Sequence, residues 1–342
     1  MLNKFKFRKE EKLIHKLIFE HEISEFDFEN LDYEELIKIA SSQLVVPLLY
    51  SKFKNLNLVN FLEDDFRKYI KEIHSINFNR NYILIKEIKE IEEIFDNEKI
   101  KFELLKGAAF VKKKIYEDIG ERMIGDIDIL INKNDSIKIT RILENNGYFK
   151  NKPVTKFWKK KHLPRFLNIK KLFAIEIHTE LIDYKKKKLL NADIFRNSKD
   201  KLRHSLYTKH TILNFQINDF GDLKGIYSYR TINDYVRLVK LFKVNLKLYK
   251  KSKYYNSFFE NIEMMKENNN EYILINNLHR LRFFLRRKIK FYFHLDNLVC
   301  YFVEVLPKRG AQFIELFINS EYRKYVVNKT LTASDSPNNN IL

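Results

Sequence analysis

The chain has 342 residues, enough for two or three domains at the usual size of about 100 to 200 residues each. Hydrophobic residues make up 45%, with 29 Phe and 19 Tyr but only 7 Gly and 5 Pro, which excludes a disordered or collagen-like chain and argues against a loop-rich all-β protein. The net charge is +19, and the excess of Lys and Arg belongs to residues 151–342.

The cellular compartment is predicted from two features. The single cysteine, Cys300, cannot form an internal disulfide or a structural zinc cluster, and it is expected to be a buried thiol in a reducing compartment. The first residues lack the apolar segment of a signal peptide, and no stretch approaches the ~18 uncharged apolar residues of a membrane span. We therefore expect a cytoplasmic protein without membrane contact.

Residues 1–98 are predicted to form a helical region, because apolar residues recur at three- and four-residue steps. Asp32 is placed to cap the helix that begins with YEELIKIA, and Glu35 stands at the capping-box distance. Pro47 is expected to start or kink a second helix.

Residues 99–204 show short apolar runs bounded by Gly and Asp, which predicts an α/β core. The segment FELLKG is typical of a strand that ends in a turn at Gly107. The segment AAFVKKKIY predicts a short helix, and IGDIDILIN predicts a second strand. An amphipathic helix over 136–146 ends at Gly147, a C-cap signal. YFKNKPVTKFWKK and KKLFAIEIHTEL predict further strands.

Residues 205–330 return to helical spacing in TINDYVRLVKLF, NEYILINNLHRLRFFLRR and LDNLVCYFVEVL. Arg230 and Asp234 lie one helical turn apart, which predicts a surface ion pair. The polar segment 331–342 is expected to be a flexible tail. The order of elements gives an α+β fold in which two helical regions flank the core.

The most informative segment is GDIDILI, residues 125–131. Residues two apart in a strand face the same side, so Asp126 and Asp128 project together while the intervening isoleucines enter the core. Two carboxylates at such a short distance repel each other unless cations lie between them. Hard oxygen ligands suit Mg²⁺, particularly a pair of Mg²⁺ ions. The alternative interpretation is a surface strand with two solvated aspartates.

A predicted phosphate site lies beside these aspartates. The strand FELLKG ends at Lys106 and Gly107 and opens into the short helix. A glycine lets the backbone approach a ligand closely, and a helix N-terminus directs free N–H groups toward phosphate. The sequence therefore predicts a phosphate cradle next to a metal site.

These residues resemble the DNA polymerase beta-like nucleotidyltransferase superfamily. Within it, LLKGAAF followed by YEDIGERMIGDIDILI is similar to the bacterial branch of uncharacterised nucleotidyltransferase family proteins, and weaker similarity covers about residues 30–245. The resemblance implies a polymerase beta-like core, a mixed sheet with helices behind it, whose open face holds two Mg²⁺ ions, or Mn²⁺, and a nucleoside triphosphate. It implies that Asp126 and Asp128 are catalytic metal ligands. Ala108 replaces the hydroxyl residue common after the turn glycine, so phosphate binding would depend on backbone N–H groups and Lys106.

The superfamily also uses a third carboxylate from a neighbouring strand. In FAIEIHTEL, period-two alternation puts Glu176 and His178 on one face, which makes Glu176 the candidate catalytic residue and metal ligand. Glu180 is the alternative if the register is displaced, and a solvated edge-strand glutamate is a second alternative. His178 could contact nucleotide or acceptor, or be structural.

Arg122 lies four residues before Asp126 and is predicted to bind the triphosphate through its guanidinium. A similarly placed arginine in the resembling family supports this prediction. The alternative is a surface pair with Glu121 or Asp118.

Basic residues of the second half could bind RNA. The runs KFWKKKH (156–162) and YKKKK (184–188) flank the Glu176 strand. A later cluster comprises Arg280, Arg282, Arg286, Arg287, Lys288 and Lys290, and the interleaved aromatic residues are Phe157, Trp158, Tyr184, Phe283 and Phe284. Such aromatic residues can stack on bases, whereas solvated lysine-rich faces are the alternative.

We therefore predict a metal-dependent nucleotidyltransferase that transfers a nucleoside monophosphate from a nucleoside triphosphate to an acceptor and releases pyrophosphate. The acceptor could be RNA, a protein hydroxyl or a small molecule. The alternative is a catalytically silent protein, either nucleotide-sensing or RNA-binding, with a regulatory role. The Asp126 and Asp128 pair favours catalysis, and Ala108 favours the silent alternative.

Overall fold

The computed structural model describes residues 4–156, 160–244, 252–267, 273–275 and 277–334. These residues form a mostly helical α+β fold with a five-stranded mixed sheet and a separate two-stranded sheet. The strands are β1 (Lys4–Phe5), β2 (Phe102–Leu104), β3 (Asp126–Ile131), β4 (Phe149–Lys150), β5 (Phe166–Leu167), β6 (Ala174–His178) and β7 (Ile273–Leu274). The helices are α1 (Lys9–Phe19), α2 (Tyr33–Ser42), α3 (Val46–Asn55), α4 (Asp64–Asn97), α5 (Lys106–Lys112), α6 (Ser136–Asn145), α7 (Ala192–Asn197), α8 (Asp200–Leu213), α9 (Gly221–Lys224), α10 (Tyr229–Phe242), α11 (Lys253–Lys266), α12 (Leu278–Lys288), α13 (Lys290–Cys300), α14 (Leu306–Ile318) and α15 (Ser320–Ser334).

The larger sheet has the strand order β2-β3-β6-β5-β4. Strands β3 and β6 are parallel, and the other neighbouring strands are antiparallel. Parallel strands need a long crossover, which here contains α6 and the β4–β5 pair. The alternation predicted for β3 is present, because Ile127, Ile129 and Ile131 are fully buried in the main core. Asp126 and Asp128 therefore lie on the other face of the strand.

The N-terminal helices begin where the sequence signals predict. Asp32 caps α2 by accepting a hydrogen bond from the backbone N–H of Glu35, and Pro47 lies in the first turn of α3. Helix α4 runs for 34 residues and packs against α3 and α5. Its Glu87 carboxylate accepts hydrogen bonds from two backbone N–H groups just before β6, at 2.8 and 3.1 Å. Helix α4 thereby holds the segment that leads into β6.

The first residues form a strand pair that the helical prediction for 1–98 does not contain. Strand β7 pairs antiparallel with β1, with Phe5 opposite Ile273. The helix predicted from NEYILINNLHRLRFFLRR begins only at Leu278, after Asn277, whose side chain caps it. The physical reason is long-range, since Phe5 and Ile273 are buried in a small cluster with Phe283 that local periodicity cannot reveal.

Other boundaries also differ from the sequence prediction. The strand predicted in YFKNKPVTKFWKK is limited to Phe149–Lys150, and its residues 157–159 lie outside the described residues. Helix α15 extends to Ser334, past the predicted start of the tail, and residues 335–342 are also outside the described part. The thiol of Cys300 is buried, as predicted. No helix in the described ranges is both long and apolar enough to cross a membrane.

A buried ion pair joins α10 to the segment before β3. The Arg122 guanidinium donates to both carboxylate oxygens of Asp234, at 2.7 and 2.8 Å, and the Tyr116 hydroxyl donates to the same carboxylate. The surface pair predicted between Arg230 and Asp234 is therefore wrong. Asp234 is buried because its side of α10 packs on the core rather than facing water.

The predicted surface partners of Arg122 are engaged elsewhere, so that alternative is also wrong. Glu121 is buried and accepts a hydrogen bond from Arg237 at 2.7 Å. Asp118 lies 2.8 Å from the His74 ring nitrogen. Both contacts fix the segment that precedes β3.

Gly107 is buried in the first turn of α5 and contacts this ion pair. A Cβ atom at Gly107 would overlap the Arg122 guanidinium and come within 2.8 Å of Ile124. Because Asp234 holds the guanidinium in place, Arg122 cannot easily move aside. The left-handed residue of the turn is Lys106, with a φ of 49°, and not Gly107. The observed reason for glycine at 107 is close packing.

We expect Asp234→Asn to lower the free energy of unfolding by about 3 to 5 kcal/mol, because the charge of Arg122 would then be buried without compensation. Urea denaturation followed by circular dichroism measures this change. The control is Asp193→Asn, which removes an exposed partner of Arg196 and should cost less than about 1 kcal/mol. Equal losses in the two variants would contradict a structural role for the buried pair.

Candidate active site

The parallel register of β3 and β6 places Asp128 directly beside Glu176. His178, two residues farther along β6, lies on the same face. Its Nε2 atom is 2.7 Å from an Asp128 oxygen and 3.2 Å from a Glu176 oxygen. One ligand atom from each of these three side chains lies within 4.8 Å of the others, and all three residues are buried. The register thus creates a compact set of metal-ligating groups.

Lys106 compensates the charge of this set from the β2 side. Its ammonium is 2.5 Å from Asp128 and 4.0 Å from Glu176. Burial by itself would raise the pKa of Asp128, but the Lys106 charge and the His178 hydrogen bond hold that pKa well below its usual range. For Glu176, the His178 hydrogen bond and the nearby His162 outweigh burial and lower the pKa to about 2. Both carboxyl groups are therefore ionised at neutral pH.

Arg165 compensates the charge from the β5 side. Its Nε donates to Glu176 at 3.1 Å and its Nη2 donates to Asp126 at 2.6 Å. The Arg165 side chain is 47% exposed, whereas the Glu176 side chain is only 12% exposed. Arg165 thus bridges two of the predicted catalytic carboxylates from the solvent side.

A one-residue bulge brings Arg165 and His162 to the same face. Phe166 lies opposite Ile175, and His162 lies opposite His178. Four residue steps on the β5 side therefore match three on β6, which is the definition of a β-bulge. Without the extra residue, side chains three apart would point to opposite faces.

Asp126 lies at the edge of the site. It is the first residue of β3, it is partly exposed, and its described ion pair is with Arg165. Burial raises its pKa, and the Arg165 charge opposes this only in part. Asp126 lies outside the compact set formed by Asp128, Glu176 and His178.

Two neighbouring bases of the site have lowered pKa values. Burial lowers the pKa of Lys161 to about 8, and the charge of Lys106 adds to this effect. Burial lowers the pKa of His162 to about 4, so this ring is neutral at pH 7. The His162 and His178 rings lie 5.4 Å apart. At pH 7, Lys161 is therefore still mostly protonated and adds to the positive charge of Lys106 and Arg165, whereas His162 does not.

The structure brings four of the six predicted site residues together: Lys106, Asp126, Asp128 and Glu176. Glu180, the alternative third carboxylate, instead lies 3.4 Å from Lys187 and outside the compact set. Arg122 and Gly107 pack against each other behind the turn. Their predicted contacts with nucleotide stay predictions.

Sequence reasoning missed Arg165 and gave His178 no ligand role. Arg165 stands in HLPRFL, which carries no strand alternation because β5 is only two residues long. Its position beside Glu176 follows from the antiparallel pairing of Phe166 with Ile175. The ligand role of His178 had a detectable signal in the sequence. Glu176 and His178 are two residues apart on one strand face, as Asp126 and Asp128 are.

The donor atoms fit a divalent metal ion. Carboxylates suit Mg²⁺ and Mn²⁺, and an imidazole extends the set toward transition metals. The second ring nitrogen of His178, Nδ1, is buried without a hydrogen-bond partner in the described structure. Asp128, Glu176 and His178 could therefore hold one ion, with Asp126 as a further carboxylate at the edge.

The later arginine cluster is used for packing within the fold. Arg280 pairs with Glu260 and Glu267. Arg282 and Arg286 both pair with Asp296, and Arg287 pairs with Glu11. These ion pairs reduce the positive charge that the cluster could offer to RNA.

The family comparison covers this whole site. A family model described as uncharacterised nucleotidyltransferase matches residues 29–212, more than half of the chain. The match includes the five-stranded sheet and every residue of the carboxylate site. No curated protein sequence and no solved structure gives a match. The chain belongs to the uncharacterised nucleotidyltransferase family.

Proposed function

We propose that the protein is a metal-dependent nucleotidyltransferase with a polymerase beta-like core. It transfers a nucleoside monophosphate from a nucleoside triphosphate to an acceptor and releases pyrophosphate. The observation that carries the proposal is the parallel pairing of Asp128 with Glu176 inside the family match. The mixed sheet, with α5 following β2 and supplying Lys106 before β3 supplies Asp128, supports the polymerase beta-like assignment.

The proposed ligands of two Mg²⁺ ions, or of Mn²⁺, are Asp126, Asp128 and Glu176, and His178 is a further donor. When bound, such ions neutralise charge on the phosphate and on the attacking and leaving oxygens. The nucleoside triphosphate lies next to Lys106 and Gly107. Arg122 is the remaining nucleotide-binding candidate, and it must give up part of its contact with Asp234 to act directly.

The side chains of this protein would orient the reactants. In the transfer, an acceptor oxygen bonds to the α-phosphorus, the bond from that phosphorus to the bridging oxygen breaks, and pyrophosphate leaves with the electron pair. Glu176 accepts a hydrogen bond from the acceptor hydroxyl and fixes its direction of attack. Because the pKa of Glu176 is about 2, we assign orientation to it and release of the hydroxyl proton to water.

Lys106 and His178 would hold the carboxylates of Asp128 and Glu176 in position during this reaction. Lys106 reaches Asp128 from the first residue of α5, so the same ammonium lies beside the predicted phosphate position. His178 contacts Asp128 and Glu176 through one nitrogen and keeps the two carboxylates together. His178 thus positions the two carboxylates before an ion is bound.

We expect Asp128→Asn to reduce nucleotide transfer by about 100-fold or more, since it removes a negative charge from the metal-ligating set. The assay incubates the protein with labelled ATP, CTP, GTP and UTP, Mg²⁺ and cell extract, and it identifies the labelled macromolecule. Asp193→Asn is the control for surface charge. Transfer at the wild-type rate by Asp128→Asn and Asp126→Asn would overturn the proposal, and absence of transfer by the wild type with nucleotide still bound would favour the silent, sensing alternative.

We expect Glu176→Gln to slow the transfer step by about 100-fold while nucleotide affinity changes little, because the lost carboxylate orients the acceptor. Single-turnover kinetics and calorimetric titration with a nonhydrolysable triphosphate separate the two effects. Glu180→Gln is the matched control on the same segment and should transfer normally. An inactive Glu180→Gln beside a normal Glu176→Gln would show that the third carboxylate is misassigned.

We expect Arg165→Ala to tighten Mn²⁺ binding in the absence of nucleotide by up to about fivefold. The reason is that Asp126 and Glu176 no longer have to give up ion pairs with the half-exposed Arg165 before they ligate a cation. Electron paramagnetic resonance of free Mn²⁺ measures this affinity. Arg67→Ala, which removes an exposed pair on α4, is the control. Unchanged or weaker Mn²⁺ binding in Arg165→Ala would show that the arginine does not compete for the carboxylates.

A further inference from the structure

A cavity of about 290 Å³ lies beside the carboxylate site, on the β5 side. Its wall comes from four separate segments: the chain between β4 and β5, the turn after β6, the residues before α9, and helix α14. Its volume is at the small end of ligand sites, which are roughly 300 to 1,000 Å³. The cavity therefore fits a small group rather than an extended strand.

Four lysines line this cavity, and we call them the lysine cluster: Lys152, Lys160, Lys161 and Lys308. The acidic residues in the described lining are Asp183 and Glu315. Asp183 is occupied as a cap, accepting from the backbone N–H of Lys185 at 2.9 Å. Glu315 accepts a hydrogen bond from Asn319 at 3.0 Å. Both carboxylates keep their charge, and four lysines against two acids leave the cavity with a net positive charge.

The lysine cluster is crowded. Burial lowers the pKa of Lys160, the charges of Lys152 and Lys308 lower it further, and Glu315 opposes them in part. Within the described residues, neither Lys152 nor Lys160 has a carboxylate at ion-pair distance. Lysines that outnumber the acids around a cavity attract an anionic ligand.

The wall of the cavity also contains an aromatic residue, Phe220, whose backbone conformation is unusual. Phe220 has a φ of 62°, a left-handed conformation that bulky residues rarely adopt. The Lys308 ammonium lies 4.6 Å from the centre of its ring. Strained positions of this kind occur at ligand-binding sites, where the surrounding structure holds them.

The sheet order separates this cavity from the proposed nucleotide position. Lys106 approaches Asp128 from the β2 side of the central strands, whereas the cavity lies beyond β6, toward β5. His162 lines the cavity and faces His178 across the bulged pairing. The two positions therefore flank the carboxylates, so a donor and an acceptor can approach them from different sides.

We propose that the lysine cluster binds a phosphate group of the acceptor, so the acceptor is a phosphate-bearing molecule. The inference rests on the proposed transferase function and names its second substrate class. The bound phosphate is a recognition group, and a separate hydroxyl of the same molecule is the attacking group. A short nucleic acid and a small sugar phosphate share this chemistry.

The test measures binding by the full chain. The double variant Lys160→Gln/Lys308→Gln removes two cavity charges, and Lys68→Gln/Lys89→Gln removes two exposed charges from α4 as the matched control. The probes are ribose 5-phosphate, a 5′-phosphorylated RNA pentamer, the same pentamer without phosphate, and a nonhydrolysable nucleoside triphosphate. Calorimetry at two salt concentrations gives each dissociation constant.

We expect the cavity variant to bind the phosphorylated probes about tenfold or more weakly, with triphosphate affinity unchanged within about twofold. Comparable affinity of ribose 5-phosphate and the pentamer indicates a small acceptor, and a much tighter pentamer indicates nucleic acid. Equal losses in the control variant, or no preference for the phosphorylated pentamer, would overturn the proposal. A loss of triphosphate affinity alone would reassign the cavity to the donor. None of these readings depends on transfer, so a failure of the proposed function is detected separately by Asp128→Asn.

Discussion

The parallel pairing of β3 with β6 forces carboxylates together in a largely buried place, and the rest of the site follows from that constraint. Asp128 and Glu176 lie side by side, and Asp126 lies two residues before Asp128 on the same face of β3. Buried like charges are unfavourable unless compensating groups come close. Lys106, at the start of α5 just after β2, and Arg165, just before β5, supply one cation on each side of the two strands. The strand order therefore determines the charge balance as well as the geometry.

The two cations differ in ways that matter for the proposed reaction. Lys106 begins a helix and is held on a buried turn, whereas Arg165 is about half exposed at the open side of the site. An exposed ion pair is weak and screened by salt, so it gives way to a stronger cation at little cost. His178 instead contacts both carboxylates from within β6 and keeps them in one place. This combination leaves the solvent side adaptable and the core side fixed.

The site is supported from behind by contacts between distant parts of the chain. Asp234 on α10 holds Arg122, and the guanidinium in turn leaves no room for a side chain at position 107. The α5 turn that presents Lys106 therefore depends on a helix more than 100 residues later. The same helical half contributes α14 to the wall of the lysine cavity. In the proposal, the C-terminal helices thus stabilise the donor side and form the acceptor side.

The local features could be predicted from the residue pattern: the N-terminal helices and the cap at Asp32, the same-face aspartates of β3, and Glu176 on a later strand. Each depends on periodicity or on residues within one element, which the chain displays directly. Three contacts could be seen only in the folded structure: Arg165 with Glu176, Asp234 with Arg122, and the arginines from residue 280 onward with carboxylates of the fold. The physical reason is that an ion pair depends on distance in space, and strand pairing, a bulge and helix packing set that distance between residues far apart in sequence.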